Sequence, residues 1–140
     1  MKLVIENHFE LQEKNLDFSQ IHYYRQQDKY IFDNSDWSIY KKEDVIDFCL
    51  IDNEVVLACL EVWVDRGENL VKTSFISTHP DYLLQDFASF LYDTLISWMK
   101  LNHPNKVLVL NRPGLNCPAA FTLFIDNKLY QKEVIFIKGY

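Results

Sequence analysis

The stretch that decides the fold is Thr78-His79-Pro80-Asp81-Tyr82-Leu83-Leu84-Gln85-Asp86-Phe87-Ala88-Ser89-Phe90-Leu91. Just before it, the residues Leu70–Ser77 are rich in β-branched and apolar side chains, which predicts a strand. From Asp86 to Leu101 the apolar residues recur at intervals of three and four, which predicts an amphipathic helix. The core-facing residues of that helix are expected to be Phe87, Phe90, Leu91, Leu95, Trp98 and Leu101. A strand, a short loop and a long helix are therefore expected in succession.

The residues before this stretch predict an antiparallel meander. Lys2–Glu6 is a short apolar run that predicts the first strand. Val45–Ile51 and Val55–Val64 predict a hairpin with its turn at Asp52-Asn53. The strand Leu70–Ser77 then returns beside this hairpin, so that three consecutive strands are neighbours.

The segment from residue 9 to residue 43 is ambiguous. Asp17 or Ser19 could cap the start of a helix. The aromatic-rich residues Ile21–Phe32 fit a helix and a strand equally well. The sequence therefore leaves the structure and role of this segment open.

The residues after the long helix predict a second unit of strand and helix. Pro104 cannot continue a helix, so the helix is expected to end near Asn102. Val107–Leu110 is wholly apolar, as a central parallel strand would be. A second helix with Pro118 in its first turn and a last strand at Glu133–Ile137 complete the order. The sequence predicts one α/β (α+β) domain, residues 1–140, with a mixed sheet: a meander followed by β-α-β-α-β.

The composition excludes several classes of partner. The chain has 14 basic and 20 acidic residues, for a net charge of −6, and it has no run of Lys or Arg. This balance argues against nucleic acid and against an anionic membrane surface. The apolar stretch at the N-terminus is too short for a signal peptide, and no stretch is long enough to cross a bilayer, so a cytoplasmic location is expected.

The cysteines and histidines predict no metal site. Cys49, Cys59 and Cys117 are odd in number and widely spaced, and two of them lie in apolar strand-like runs, which is typical of reduced, buried thiols. The four histidines have no ligand spacing.

The quoted stretch resembles the central motif of the GNAT superfamily of acyl-CoA N-acyltransferases. In that family a strand ends in a Val-His-Pro-like step, and a loop of the form Arg/Gln-x-x-Gly-x-Gly/Ala opens a long helix. The order of elements matches from Phe48 to Tyr140, but only the quoted residues are specific. The resemblance implies the GNAT fold and acetyl-CoA as cofactor, with the cofactor pyrophosphate at the helix N-terminus.

The resemblance also implies which residues contact the cofactor. They are Ile76, Ser77 and Thr78 along the pantetheine arm, and Leu83, Leu84, Gln85, Asp86, Phe87 and Ala88 at the pyrophosphate. Ala88 fits the motif, whereas Leu83 stands where the family has Arg or Gln, and Asp86 stands where it has the first glycine. Both departures predict weakened cofactor binding, because Leu83 cannot pair with phosphate and Asp86 brings a like charge. Asp86 is also expected to cap the helix with its carboxylate.

Glu61 and Tyr130 are the candidate catalytic residues. In the family, a substrate amine attacks the thioester directly, helped by a base, and a tyrosine commonly protonates the departing thiolate. Glu61 is the one carboxylate inside Val55–Val64, so it is the candidate base; the alternative is a solvent-exposed or edge-paired glutamate. The usual tyrosine position falls on Leu123 or Phe124, so Tyr130 is the candidate acid.

The sequence therefore supports three functions. The first is an acetyl-CoA-dependent N-acetyltransferase acting on a small-molecule or protein amine. The second is a catalytically inactive GNAT-like module that binds a protein partner or senses a ligand. The third is an unrelated α+β binding protein. A homodimer is compatible with each of them.

Overall fold

The computed structural model describes residues 1–21, 42–65, 67 and 69–109. The strands and α-helices are β1 (Lys2–Asn7), α1 (His8–Gln12), β2 (Val45–Asp52), β3 (Val55–Asp65), β4 (Leu70–Thr78), α2 (Phe87–Asn102) and β5 (Val107–Val109). Two short 3₁₀-helices lie at Lys42–Asp44 and Pro80–Tyr82. The predicted second helix, the predicted last strand, Cys117 and Tyr130 lie outside the described residues.

The five strands form one sheet in the order β1-β2-β3-β4-β5. Neighbouring strands are antiparallel except β4 and β5, which are parallel and are joined by α2. This arrangement confirms the predicted mixed sheet, with a meander followed by a β-α-β unit. The predictions for β1 to β4 are correct to within one residue at either end, and β5 begins at the predicted Val107.

The hairpin between β2 and β3 turns at Asn53 and Glu54, one residue later than predicted. Asp52 still pairs with Val55, so it belongs to the strand and not to the turn. Asn53 and Glu54 have φ values of 50° and 66°. Two consecutive positive φ values are typical of the two-residue turn whose twist matches that of antiparallel strands.

Helix α2 has the predicted length, but its buried face is rotated from the predicted one. Phe90 and Leu101 were expected in the core and are 48% and 84% exposed. The buried residues of the helix are Leu91, Tyr92, Leu95 and Met99. Tyr92 and Met99 lie on the same side as Leu95 at spacings of three and four, and this narrower stripe is the one that meets the sheet.

The sheet has an apolar core on each face. On the α2 face, residues of the helix and of the strands β2, β3, β4 and β5 pack together: Phe48, Leu50, Leu60, Val62, Val71, Leu91, Tyr92, Leu95 and Leu108. On the α1 face, a smaller core consists of Leu11, Phe18, Ile21, Cys49, Ile51, Val56 and Cys59. The buried positions of Cys49 and Cys59 confirm the prediction of buried thiols.

Helix α1 was not predicted. Asn7 caps it by accepting hydrogen bonds from the N–H groups of Phe9 and Glu10. The predicted helix start at Asp17 is wrong: Asp17 instead forms a bridge to the start of β3, where Val56 N–H donates to its carbonyl at 2.9 Å. Among the described residues, none of the helices has the length and apolar composition needed to cross a membrane.

Candidate active site

The loop that follows β4 is held in place by a hydrogen bond to β3 and by contacts between its aromatic rings. The N–H group of His79 donates to the carbonyl of Leu57 at 2.7 Å, which ties the loop to β3. The His79 ring meets Tyr82 edge to face, and Tyr82 stacks on Phe87 with ring centroids 5.9 Å apart. These aromatic contacts link the end of β4 to the first residue of α2. The predicted sequence of strand, loop and helix is therefore confirmed.

Asp86 is the N-cap residue of α2, but its carboxylate does not cap the helix. Its φ and ψ are 58° and 27°, in the left-handed region, and its side chain makes no capping hydrogen bond. Capping side chains normally belong to residues with extended backbone, so the prediction of a carboxylate cap is wrong. Left-handed geometry favours glycine, which is the residue that the motif has at this position.

The first turn of α2 presents backbone N–H groups. The N–H groups of Phe87, Ala88 and Ser89 have no acceptor within the helix, because a helix leaves its first donors unpaired. Asp86 does not cap them, and its carbonyl accepts the first helical hydrogen bond from Phe90 at 3.1 Å. An anion can bind at such a helix end.

The side chains of residues 83–86 in this loop are exposed, and two of them are apolar. Leu83 and Leu84 are 66% and 95% exposed, and Gln85 and Asp86 are also exposed. Leu83 therefore lies at the loop surface, where it offers no charge to a phosphate.

A β-bulge in β4 lies beside Glu61. Glu61 pairs with Phe75 and Val62 pairs with Thr73, so Ser74 is the extra residue. The Ser74 hydroxyl donates to the Glu61 carboxylate at 2.8 Å. Bulges redirect side chains next to functional sites.

The described ladder between β4 and β5 covers Leu70–Lys72, and the predicted pantetheine residues Ile76, Ser77 and Thr78 come after it.

Glu61 is buried in a cluster of charged groups. Only 7% of it is exposed, so the alternative of a solvent-exposed or edge-paired glutamate is wrong. Asp47 lies directly opposite it on β2. The Nδ1 atom of His8 lies 2.8 Å from the Asp47 Oδ2 atom and 3.1 Å from the Glu61 Oε2 atom. This cluster could not be predicted from the sequence, because its members lie far apart along the chain.

Neighbouring polar groups fix the orientation of the cluster. The Trp63 Nε1–H group donates to the Glu61 Oε1 atom at 3.0 Å, beside the hydroxyl of Ser74. On the other side, the Gln12 amide lies 2.7 Å from the Nε2 atom of His8. Both oxygens of Glu61 are thus engaged, as expected for a buried carboxylate.

The charges of the cluster shift the pKa values of its members. Burial alone would lower the pKa of His8, but the hydrogen bonds and charges of Asp47 and Glu61 outweigh burial and raise it to about 10. Burial alone would raise the pKa of Glu61, but the hydrogen bond and charge of His8, with help from Trp63 and Ser74, lower it. At neutral pH, His8 is therefore a cation between two carboxylates.

Comparison with solved structures settles the fold. The ribosomal-protein-S18-alanine N-acetyltransferase of Escherichia coli has a TM-score of 0.56 and 18% identity over 90% of this chain and 76% of its own. The ribosomal-protein-alanine N-acetyltransferase of Brucella melitensis has a TM-score of 0.57 and 13% identity over 93% and 92%. The aminoglycoside 6'-N-acetyltransferase AAC(6')-IG of Acinetobacter haemolyticus has a TM-score of 0.53 and 10% identity over 94% and 92%.

The chain has the GNAT fold. At these identities the likeness shows the fold and does not identify a substrate. No protein-family model matches the sequence, and no curated protein matches it significantly. Within the GNAT fold, the loop residues 83–88 and the strand residues 76–78 occupy the places that the sequence motif gave them, at the start of α2 and the end of β4. Glu61 lies on the strand next to β4.

Proposed function

We propose that the protein is an acetyl-CoA-dependent N-acetyltransferase whose pyrophosphate loop binds the cofactor weakly. The observation that carries this proposal is the start of α2. Asp86 has the backbone geometry of the glycine that it replaces and leaves the first-turn N–H groups uncapped. A loop closed by the Asp86 carboxylate would have blocked the phosphates. This geometry supports the proposal that residues 83–88 keep the backbone of a cofactor loop, although Leu83 and Asp86 depart from its motif.

The reaction would need little from the protein beyond positioning. The acceptor amine attacks the thioester carbonyl, the new N–C bond forms, and the C–S bond breaks to release CoA. In this proposal Ile76, Ser77 and Thr78 align the pantetheine arm, and the first turn of α2 holds the pyrophosphate. Positioning of this kind supplies a large share of the rate enhancement in reactions between two substrates.

Glu61 is the proposed base and Tyr130 the proposed acid. The lowered pKa of Glu61 keeps its carboxylate ionised, although it makes the group a weak base, and both of its oxygens already contact Trp63, Ser74 and His8. The acceptor is proposed to be a small-molecule or protein amine. A cationic amine fits best, because the chain carries a net charge of −6.

Acetyl-CoA binding is the first test. Thermal unfolding is measured with and without millimolar acetyl-CoA, for the native protein and for the Leu83→Arg/Asp86→Gly variant. A ligand at a hundred times its Kd stabilises by about 2.7 kcal/mol, which raises Tm by roughly 5–10 °C in a domain of this size. We expect a small rise for the native protein and a larger rise for the variant. No rise in either protein would contradict the proposal.

A second candidate function is a non-catalytic GNAT-like module that binds a protein partner. The observation that favours it is the exposed apolar surface of Leu83 and Leu84 beside Asp86. Such a surface fits a protein contact better than it fits a phosphate. This function would be favoured if the native protein shows no shift with acetyl-CoA while the Leu83→Arg/Asp86→Gly variant does.

A further inference from the structure

Three side chains with metal-binding chemistry converge on the α1 face of the sheet. The Nδ1 atom of His8 and carboxylate oxygens of Asp47 and Glu61 all lie within 4.8 Å of one another. All three residues are buried. An imidazole nitrogen and carboxylate oxygens are ligands that zinc accepts. In the described part of the chain, no other group of three such residues comes together in this way.

The spacing of the donor atoms is close to that of a zinc site. The Nδ1 atom of His8 lies 2.8 Å from Asp47 and 3.1 Å from Glu61. Ligands that bind tetrahedral zinc at roughly 2.0–2.1 Å lie about 3.3–3.4 Å from one another. A movement of about half an ångström would therefore open the cluster enough for an ion. The ion would occupy the place of the proton that His8 now shares with the two carboxylates.

The groups around the cluster match those that support metal ligands. A histidine ligand usually donates its second ring N–H group to a fixed acceptor, and ligating carboxylates are themselves hydrogen-bonded. The amide nitrogen of Gln12 lies 2.7 Å from the Nε2 atom of His8, and turning the amide by 180° would present its oxygen there as the acceptor. Trp63 and Ser74 hold the Oε1 atom of Glu61, which leaves Oε2 directed at His8.

The ligands also stand on fixed backbone. Asp47 and Glu61 are directly paired on two strands of the sheet, and His8 is the first residue of α1, whose start is capped by Asn7. Sites built on strands and helices hold their geometry better than sites on loops.

We propose that His8, Asp47 and Glu61 form a site for a divalent transition-metal ion, Zn²⁺ in the first instance. On binding, the His8 Nδ1 proton leaves to solvent and the nitrogen's lone pair binds the ion. The two carboxylates balance the charge of the dication. Mg²⁺ is excluded, because it prefers a shell of oxygens that includes several waters. The proposal shares Glu61 with the proposed acetyl transfer but does not rest on that activity, because calorimetry and thermal unfolding report zinc binding whether or not the protein transfers an acetyl group.

The test is calorimetric titration of the chelator-treated full chain with zinc chloride. We expect one ion per chain. Titration in two buffers of different ionisation enthalpy is expected to show release of about one proton per ion. Thermal unfolding with zinc at a hundred times its Kd is expected to raise Tm by about 5–10 °C, and Mg²⁺ is expected to leave Tm unchanged. Absence of zinc binding would overturn the proposal and leave the cluster as a proton-bridged ion pair.

Variants decide whether the ion lies at this cluster and not at a cysteine. Asp47→Asn removes a ligand and is expected to weaken zinc binding at least tenfold. Because Asp47→Asn also disturbs the buried ion pair, Gln12→Ala is measured beside it. The Gln12→Ala variant keeps all three ligands and is expected to bind zinc about tenfold more weakly than the native protein. Glu6→Gln is the matched control, since Glu6 pairs with Asp47 in the sheet and makes an ion pair with Lys14. If the folded Gln12→Ala and Glu6→Gln variants bind zinc with equal affinity, the proposal that zinc binds at this cluster is contradicted.

Discussion

Asp47 and Glu61 lie directly opposite each other on β2 and β3, and both carboxylates contact the same nitrogen of His8. Two buried carboxylates side by side are unfavourable, because each disfavours the ionised form of the other. His8 removes that conflict by contributing a positive charge between them. One residue of α1 thereby joins the helix to the centre of the sheet.

Removing the charge of His8 is expected to destabilise the protein strongly. His8→Gln leaves two buried carboxylates facing each other, and breaking a buried ion pair costs about 3–5 kcal/mol. Urea unfolding in the presence of a chelator measures this loss. The double variant His8→Gln/Asp47→Asn is expected to lose less free energy of unfolding than the two single variants lose in sum, because the two residues interact. Glu6→Gln, whose partner Lys14 is exposed, is expected to change stability by less than about 1 kcal/mol. Additive losses would contradict this account of the cluster.

The same cluster predicts how the stability of the metal-free protein changes with pH. The pKa of His8 is raised to about 10, so its stabilising contribution is complete below its usual value of 6.5 and is lost as the pH rises towards 10. The pKa of Glu61 is lowered, so its contribution is present above its usual value of 4.5 and is lost as the pH falls through the lowered value. Stability from this cluster is therefore greatest between about 4.5 and 6.5.

The free energy of unfolding, measured by urea from pH 5 to pH 10, checks this prediction. The native protein is compared with His8→Gln at each pH, so that titrations elsewhere in the chain cancel. We expect the difference between the two proteins to narrow above pH 6.5. A constant difference up to pH 10 would contradict the raised pKa of His8.

The strands could be predicted from the sequence, and the buried cluster could not. Strands β2 and β3 consist of long runs of β-branched and aromatic residues, so their period and the turn between them are visible in the sequence. Helix α1 has only five residues, which is too short to show a helical period. His8 is 39 residues from Asp47, and only the pairing of the strands brings Glu61 beside them. Spacing along the chain therefore carried no metal-ligand pattern.

The loop before α2 shows a different limit of sequence reasoning. The motif placed Asp86 correctly at the start of the helix, but an acid at a helix start also predicts a carboxylate cap. The backbone decides between these interpretations, because left-handed geometry at Asp86 leaves the carboxylate without a capping hydrogen bond. Similarly, the period of α2 located the helix but did not show that Phe90 and Leu101 lie outside the core.

The bulge residue Ser74 is expected to stabilise the protein through its bond to Glu61. Ser74→Ala removes a hydroxyl that donates to a buried carboxylate at 2.8 Å, and such a loss costs about 1–3 kcal/mol. Thr94→Ala is the matched control, because its hydroxyl donates to a backbone carbonyl at the same distance on the exposed side of α2. The control is expected to be neutral or slightly stabilising, since alanine favours the helix. If Ser74→Ala and Thr94→Ala lose equal stability in urea unfolding, the hydrogen bond to Glu61 contributes no more than one to an exposed carbonyl.

The charge of Asp86, and not its backbone geometry, is expected to limit cofactor binding. Asp86→Asn keeps a residue that tolerates left-handed backbone and removes the negative charge beside the proposed pyrophosphate site. Two charges about 4 Å apart in water repel by about 1 kcal/mol, so acetyl-CoA is expected to bind roughly fivefold more tightly. The gain is expected to shrink at high salt, where exposed charges are screened. Calorimetric titration at two salt concentrations measures both effects.

Asp81→Asn is the control for this substitution, because Asp81 is another exposed acid in the same loop. It is expected to change the affinity less than Asp86→Asn, since it lies five residues before Asp86, the N-cap residue of α2. Asp86→Gly removes the charge and relaxes the left-handed backbone, so it is expected to match the affinity of Asp86→Asn and to change the free energy of unfolding by less than about 1 kcal/mol. If Asp86→Gly tightens binding and Asp86→Asn does not, backbone access to the phosphates is the limit, and the charge of Asp86 is not.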